Sequence, residues 1–439
     1  MRYQPINPEL FIHNRKQIVA ELKPNSLALF NANDTTPTNA DGTMPFRQNN
    51  DLFYLTGVDQ EESILVLCPN FPDEKWREVL FLKETSELIA IWEGHKLTKE
   101  QARKQTGIET ILWLTDFPRV FRHMMTMGGV ENVYLNTNEH YRAEVTVQTR
   151  DARFIEWCKK AYPLHQYQRI APIISQLRSV KSKTEIDLLQ VACNITESAF
   201  RRVLKFVKPG VKEYEIEAEF IHEFIKNGSS GFAYTPIIAS GGNSCVLHYI
   251  ENDQPCQAGD VLLLDVGAAY ANYNADMTRT IPVNGKFTAR QKAVYHAVLR
   301  VQREAMKMLR PGVLYFDYHK EIQKIIESEL IGLSLLKKED VERQNPDKPL
   351  FQEYFMHGTS HMLGLDVHDV GNMHAKVTEG QVWTIEPGIY IREEKLGIRL
   401  ENNVLISEKN NVDLMKNIPI EADEIEELMN SKLEKLKIR

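Results

Sequence analysis

The run VLLLDVGAAYANYNADMTRTIPV, beginning at Val261, sets the tightest limit on the fold. Asp265 interrupts an apolar, strand-forming run, and Asp276 opens the return run beyond a turn. An acid inside such a strand is unfavourable by propensity and costly to bury unless it is paired. The two aspartates are an odd distance apart in sequence. In an antiparallel hairpin with an even loop and no bulge, that parity allows them to face each other directly, with Cβ atoms about 4.5–5.5 Å apart. Carboxylates held so close destabilise the chain unless a proton or a cation lies between them.

The pattern returns in QVWTIEPGIYIREEKLGIRLENNVLI, where Glu386 precedes a Pro-Gly turn and Glu401 sits on the return run. Their separation is odd again, with Glu393 and Glu394 at the turn centre. Between the two hairpins lies HGTSHMLGLDVHDVG, with His357, His361 and His368 gathered among glycines and aspartates. One acid alone reads as a solvated edge residue. Four acids of matching parity in apolar runs, beside a histidine cluster, read as a metal site. Such an oxygen-rich set with some nitrogen favours Mn²⁺, with Co²⁺, Fe²⁺ or Zn²⁺ as competitors. Four carboxylates exceed what one divalent ion needs, so two ions about 3.5–4 Å apart are expected, bridged by carboxylates and a water. That water would lose its proton near neutrality and act as a hydroxide nucleophile in metal-assisted hydrolysis.

At 439 residues the chain is too long for one ordinary core and suggests two domains, or three. Up to about residue 165, short apolar runs (LALF, DLFYLTG, SILVLC, EVLFL, VYLN) read as strands alternating with helices, an α/β layer. The boundary is expected near residues 168–182, with Pro172 interrupting the linker. Ser182 and Glu185 then form a capping box that opens an amphipathic helix. The domains are set at 1–172 and 173–439, an α+β chain overall. In the second domain, helices followed by a hairpin occur twice, which suggests an internal duplication. The final EADEIEELMNSKLEKLKIR reads as an exposed charged helix that caps the fold.

Charges of both signs are interspersed, with a formal net charge of -7 and no basic stripe, which argues against a nucleic-acid partner. No apolar run is long enough to cross a bilayer, so no membrane partner is expected. The five cysteines are scattered without a CxxC pair, as in a reducing compartment, and the expected address is the cytoplasm.

These segments resemble the pita-bread metallopeptidases over nearly the whole chain. LLLDVGAAYANYNADMTRT is similar to that family's aspartate hairpin, HGTSHMLGLDVHDVG to its histidine stretch, and EPGIYI and GIRLENNVLI to its glutamate segments. RSVKSKTEI resembles its entry to the catalytic domain. FRQNNDLFYLTG resembles the N-terminal domain of its proline-specific members, the X-Pro aminopeptidases and prolidases. The resemblance implies a smaller N-terminal α/β domain and a C-terminal pita-bread domain holding two divalent ions. Asp265 would bind one ion and Asp276 would bridge; His361 and Glu386 would bind the second, and Glu401 would bridge.

Glu386 would also take the proton from the attacking water. His248 and His368 would position the peptide and stabilise the oxyanion. His357, one helical turn before His361, would do the same. Arg399 would hydrogen-bond within the site, and Tyr390 would stack on the substrate's proline ring. Trp92 in IWEGHKLT resembles a residue that reaches a neighbouring subunit's site, which implies a homodimer or homotetramer. His319 and His374 have no assigned role. The reading is metal-dependent hydrolysis of the N-terminal X-Pro bond of peptides with proline second. Alternatives are a prolidase restricted to X-Pro dipeptides and, more distantly, an inactive peptide-binding module.

Overall fold

The computed structural model describes residues 2–431. Its contacts divide the chain into two compact units, Gln4–Arg178 and a second built from Ser179 onward. The expected division after residue 172 thus moves to the end of a helix, Ala171–Ser179. Pro172 lies in the first turn of that helix, where a missing N–H costs little, so it opens the helix instead of interrupting the chain.

The first unit is built on six strands: β1 (Ser26–Asn31), β2 (Ile64–Leu67), β3 (Glu78–Leu82), β4 (Thr110–Trp113), β5 (Asn132–Leu135) and β6 (Gln166–Arg169). Their order is β4-β3-β2-β1-β5-β6. β1 and β3 run antiparallel to β2, whereas β4, β5 and β6 each pair in parallel, so the sheet is mixed. Leu27, Leu29, Val66, Phe81 and Val133 bury one face against Phe117 and Phe121 of the helix Phe117–Met127. DLFYLTG, expected as a strand, is the helix Asn50–Thr56. A short run buried on every side has no periodicity to separate strand from helix. Its ends decide: the Asn49 side chain accepts from the Asp51 and Leu52 N–H groups, and Gly57 closes the helix at φ 66°.

In the second unit, Ser182 and Glu185 make the expected capping box at the start of helix Lys183–Phe206. That helix and Glu213–Lys226 precede the first hairpin; Ala289–Met308 and Tyr315–Gly332 precede the second. Helices followed by a hairpin therefore occur twice. The first hairpin follows β7 (Gly231–Phe232) and β8 (Ile237–Ser240). It comprises β9 (Val261–Val266), β10 (Ala268–Tyr270), β11 (Tyr273–Asn274) and β12 (Met277–Pro282). Its turn residues Ala271 and Asn272 both have positive φ, 50° and 64°, the type I′ pattern that matches strand twist.

This turn sets the register. Asp265 faces Thr278, and Asp276 falls across from Gly267, so the two aspartates are not directly opposed. Odd separation still places them on one face, as diagonal neighbours. Gly267 has a packing reason, because a Cβ there would run into the Ala275 carbonyl.

The second hairpin comprises β13 (Val382–Ile385), β14 (Gly388–Ile391), β15 (Leu396–Arg399) and β16 (Asn402–Leu405). Ile385 pairs with Asn402 and Gly388 with Arg399, a register that sets Glu386 opposite Glu401. The hairpins are laced together. The Glu401 N–H donates to the Thr278 carbonyl at 3.0 Å. Asn403 accepts from the Asp276 N–H at 3.0 Å and donates to the Asp276 carbonyl at 2.6 Å. The helix Ala422–Asn430 buries Ala422 and Ile425. The rest of the expected terminal helix, from residue 432, lies outside the described residues. Among the described residues no helix is long and apolar enough to cross a membrane.

Candidate metal centre

The lacing brings the acids of both hairpins to the histidine stretch. Asp276, His361 and Glu401 each offer a ligand atom within 4.8 Å of the others, and all three are buried. His361 Nε2 lies 3.4 Å from Asp276 Oδ2 and 3.5 Å from Glu386 Oε1. Asp265 joins through Tyr234, whose hydroxyl contacts Asp265 Oδ1 at 2.6 Å and Asp276 Oδ1 at 2.5 Å. All five residues singled out as ligands therefore share one cluster.

The donor set fits divalent ions. The His361 Nδ1–H donates to the Met362 carbonyl at 3.0 Å, which turns Nε2 and its lone pair toward the acids. Glu401 Oε2 accepts from Thr278 at 2.7 Å, while Oε1 is buried with no hydrogen-bond partner, an orphan a cation would satisfy. Burial pushes Asp265, Glu386 and Glu401 above the ordinary carboxylate range, and in each case neighbouring acids add to the shift. Burial pulls His361 down, but Asp276 and Glu386 outweigh it and raise the imidazole. Both upward shifts mark a cluster short of positive charge.

Arg399 is a buried support. Its guanidinium binds Asp265, Tyr390 at 2.9 Å and Thr278 at 3.1 Å. The Tyr390 hydroxyl in turn donates to His357 Nε2 at 2.8 Å, while His357 Nδ1–H donates to the Gly358 carbonyl. Burial and the Arg399 charge push His357 down to about 3, so the ring is neutral. Two expectations change. Tyr390 is 0% exposed and offers no face for stacking on a substrate; its hydroxyl links Arg399 to His357 instead. His357 is not one helical turn before His361, because residues 357–371 form bends and a single bridge, Met362 to Trp383, and no helix. At Gly364 a Cβ would meet Asp369 and Lys181, which form a buried pair at 2.8 Å.

That pair anchors the residue next to His368, an exposed histidine whose ring centroid lies 4.4 Å from that of His361 at 82°. His248 is exposed on the loop after Cys245 and is close enough to depress His357. Its neighbour Tyr249 donates to the buried Glu213 at 2.8 Å, which also accepts from Ser240 and the Gln254 N–H. Trp92 belongs to the first unit, on the helix Glu87–Glu93, and is 85% exposed. Tyr234, Glu213 and Lys181 were not singled out from the sequence. A tyrosine in GFAYTPII carries no local mark of its role. Thr278 could have been found, since it shares a strand face with Asp276.

Buried carboxylates from two laced hairpins, converging on an imidazole from the stretch between them, form a candidate divalent-metal site of the kind metal-dependent hydrolases use. Comparison with known proteins narrows the class. Residues 187–408 match the model of metallopeptidase family M24, and residues 11–134 match the aminopeptidase P N-terminal domain. The chain belongs to metallopeptidase family M24, and it is a hydrolase. It is 33% identical to the Xaa-Pro aminopeptidase of Escherichia coli, over 97% of this chain and 98% of that one. It is 30% identical to human Xaa-Pro aminopeptidase 3, over 87% of this chain and 76% of the relative. Aminopeptidase PepP of Pseudomonas aeruginosa superposes with a TM-score of 0.87 at 29% identity, covering 98% and 99% of the chains. A zinc-substituted E. coli aminopeptidase P in complex with product gives 0.85 at 33%, covering 97% and 99%.

Proposed function

We propose that the chain is a Xaa-Pro aminopeptidase that releases the first residue of peptides with proline second, using two divalent ions held by Asp265, Asp276, His361, Glu386 and Glu401. The observation that carries this reading is the buried convergence of Asp276, His361 and Glu401 in a chain similar end to end to Xaa-Pro aminopeptidases. Four carboxylates face one buried guanidinium, a deficit of positive charge that two divalent ions offset. The oxygen-rich set favours Mn²⁺. Bound ions supply a water of lowered pKa and a Lewis acid for the scissile carbonyl.

The chain's own groups do the rest. Glu386, held above the ordinary range by burial, takes the proton from the attacking water. His368 donates a hydrogen bond to the developing oxyanion, and His248 positions the peptide from its Glu213-anchored loop. His357, neutral and with both nitrogens engaged, presents an apolar ring to the proline. An X-Pro bond offers no N–H on its proline side, so recognition by ring shape replaces recognition by hydrogen bond.

Leu88, Ile91 and Trp92 stand exposed on a helix with no buried residue, and we assign that face to a second copy of the chain in a homodimer or homotetramer. Five buried, unpaired cysteines support a reducing compartment such as the cytoplasm.

Prolidase is the second reading. It needs a group to hold the dipeptide's carboxylate, and Arg399 has every guanidinium nitrogen engaged within the site. Substrate length tests the choice. Ala-Pro-Ala should be cut at its first bond at least as well as Ala-Pro, because contacts beyond the scissile bond help align the carbonyl. The measurement is kcat/KM for both substrates under equal Mn²⁺ loading. A tripeptide barely turned over beside a good dipeptide would leave the metal chemistry standing and overturn the aminopeptidase reading.

A further inference from the structure

Tyr234 comes from neither hairpin, yet its hydroxyl reaches one oxygen of each aspartate, Asp265 Oδ1 at 2.6 Å and Asp276 Oδ1 at 2.5 Å. A phenol has one proton to give. It can satisfy one carboxylate, and the second oxygen at that distance needs a proton of its own or a cation nearby. The remaining contacts show a division of labour. Arg399 takes Asp265 Oδ2, and Thr278 takes Glu401 Oε2. Asp276 Oδ2 is left facing His361 Nε2 at 3.4 Å, and Glu401 Oε1 is left without a partner. The supporting donors thus engage one set of oxygens and leave another turned inward.

We propose that Tyr234 is a positioning residue of the metal centre: its hydroxyl clasps the two aspartates, holds them together against their mutual repulsion, and fixes which oxygens remain for the ions. The inference rests on the metal-site reading above. It differs from a space-filling role in one respect, since the ring packs the same way with or without its oxygen. Removing the oxygen alone should therefore loosen the ions and leave the fold intact.

The test is Tyr234→Phe, made in the full chain, stripped of metal and titrated with Mn²⁺ in a calorimeter beside wild type. Loss of an outer hydrogen bond to a metal ligand typically weakens metal affinity about 10–100-fold, and that is the expected shift. The melting temperature of the metal-free protein should change little. Turnover of Ala-Pro-Ala should return to within a few-fold of wild type at saturating Mn²⁺. An affinity within twofold of wild type overturns the proposal, whatever happens to the melting temperature. Wild type that binds no Mn²⁺ would instead overturn the metal-site reading itself, so the two failures are distinguishable. Should the phenylalanine variant not fold, Tyr234→Leu, which also removes the hydroxyl and adds no metal-binding atom, is read in the same titration, with the same expected and contrary results.

Discussion

Asp276→Ala is expected to abolish peptide hydrolysis and to remove at least one bound ion per chain. The residue is 5% exposed, and its side chain contacts the Tyr234 hydroxyl through one oxygen and faces His361 Nε2 with the other. Its backbone N–H and carbonyl are held separately by Asn403, so the strand should keep its course when the carboxylate goes. What disappears is a carboxylate at the centre of the cluster, the one proposed to bridge the ions. A loss of about 4 kcal/mol of transition-state stabilisation, roughly a thousandfold in kcat, is a lower bound if the ions supply both nucleophile and Lewis acid. Metal analysis of the purified variant, read beside its kcat on Ala-Pro-Ala, checks both halves. Two ions and full turnover in the variant would show that Asp276 is no bridge.

His368→Ala should separate chemistry from metal binding. The ring sits edge-to-face with His361 at 4.4 Å, but unlike His361 it is exposed. Its position is fixed through Asp369, which the buried Lys181 holds at 2.8 Å. A donor aimed at developing negative charge contributes on the order of 10²-fold or more in kcat. The expected outcome is a fall of that size, with the metal content unchanged and KM moved less than kcat. Loss of metal in this variant would mean that the roles of His361 and His368 are exchanged.

How far the sequence alone reached follows from where each signal lives. The hairpins were legible because an acid in an apolar strand is a local conflict that only a site resolves. Parity placed Asp265 and Asp276 on one face, but direct opposition depended on the turn. The Ala271-Asn272 turn shifts the register by enough to put Thr278 across from Asp265. Glu386 and Glu401 have no such shift between them and lie opposite.

DLFYLTG was misread because burial on every side erases periodicity, although Asn49 and Gly57 carried the cap signals. Tyr390 was aromatic and close to Glu386, which said nothing about which way its ring would be enclosed. Tyr234, Glu213 and Lys181 act across long sequence separations. Their neighbours in the chain hold no trace of the partners that give them meaning.

The most direct test of the account is a titration of the metal-free protein with Mn²⁺, following ions bound per chain and alanine released from Ala-Pro-Ala in the same samples. The account predicts that activity climbs to its plateau as two ions bind, with free alanine and Pro-Ala as the products. Full turnover with one ion or none, or two bound ions without cleavage of the Ala-Pro bond, would contradict it.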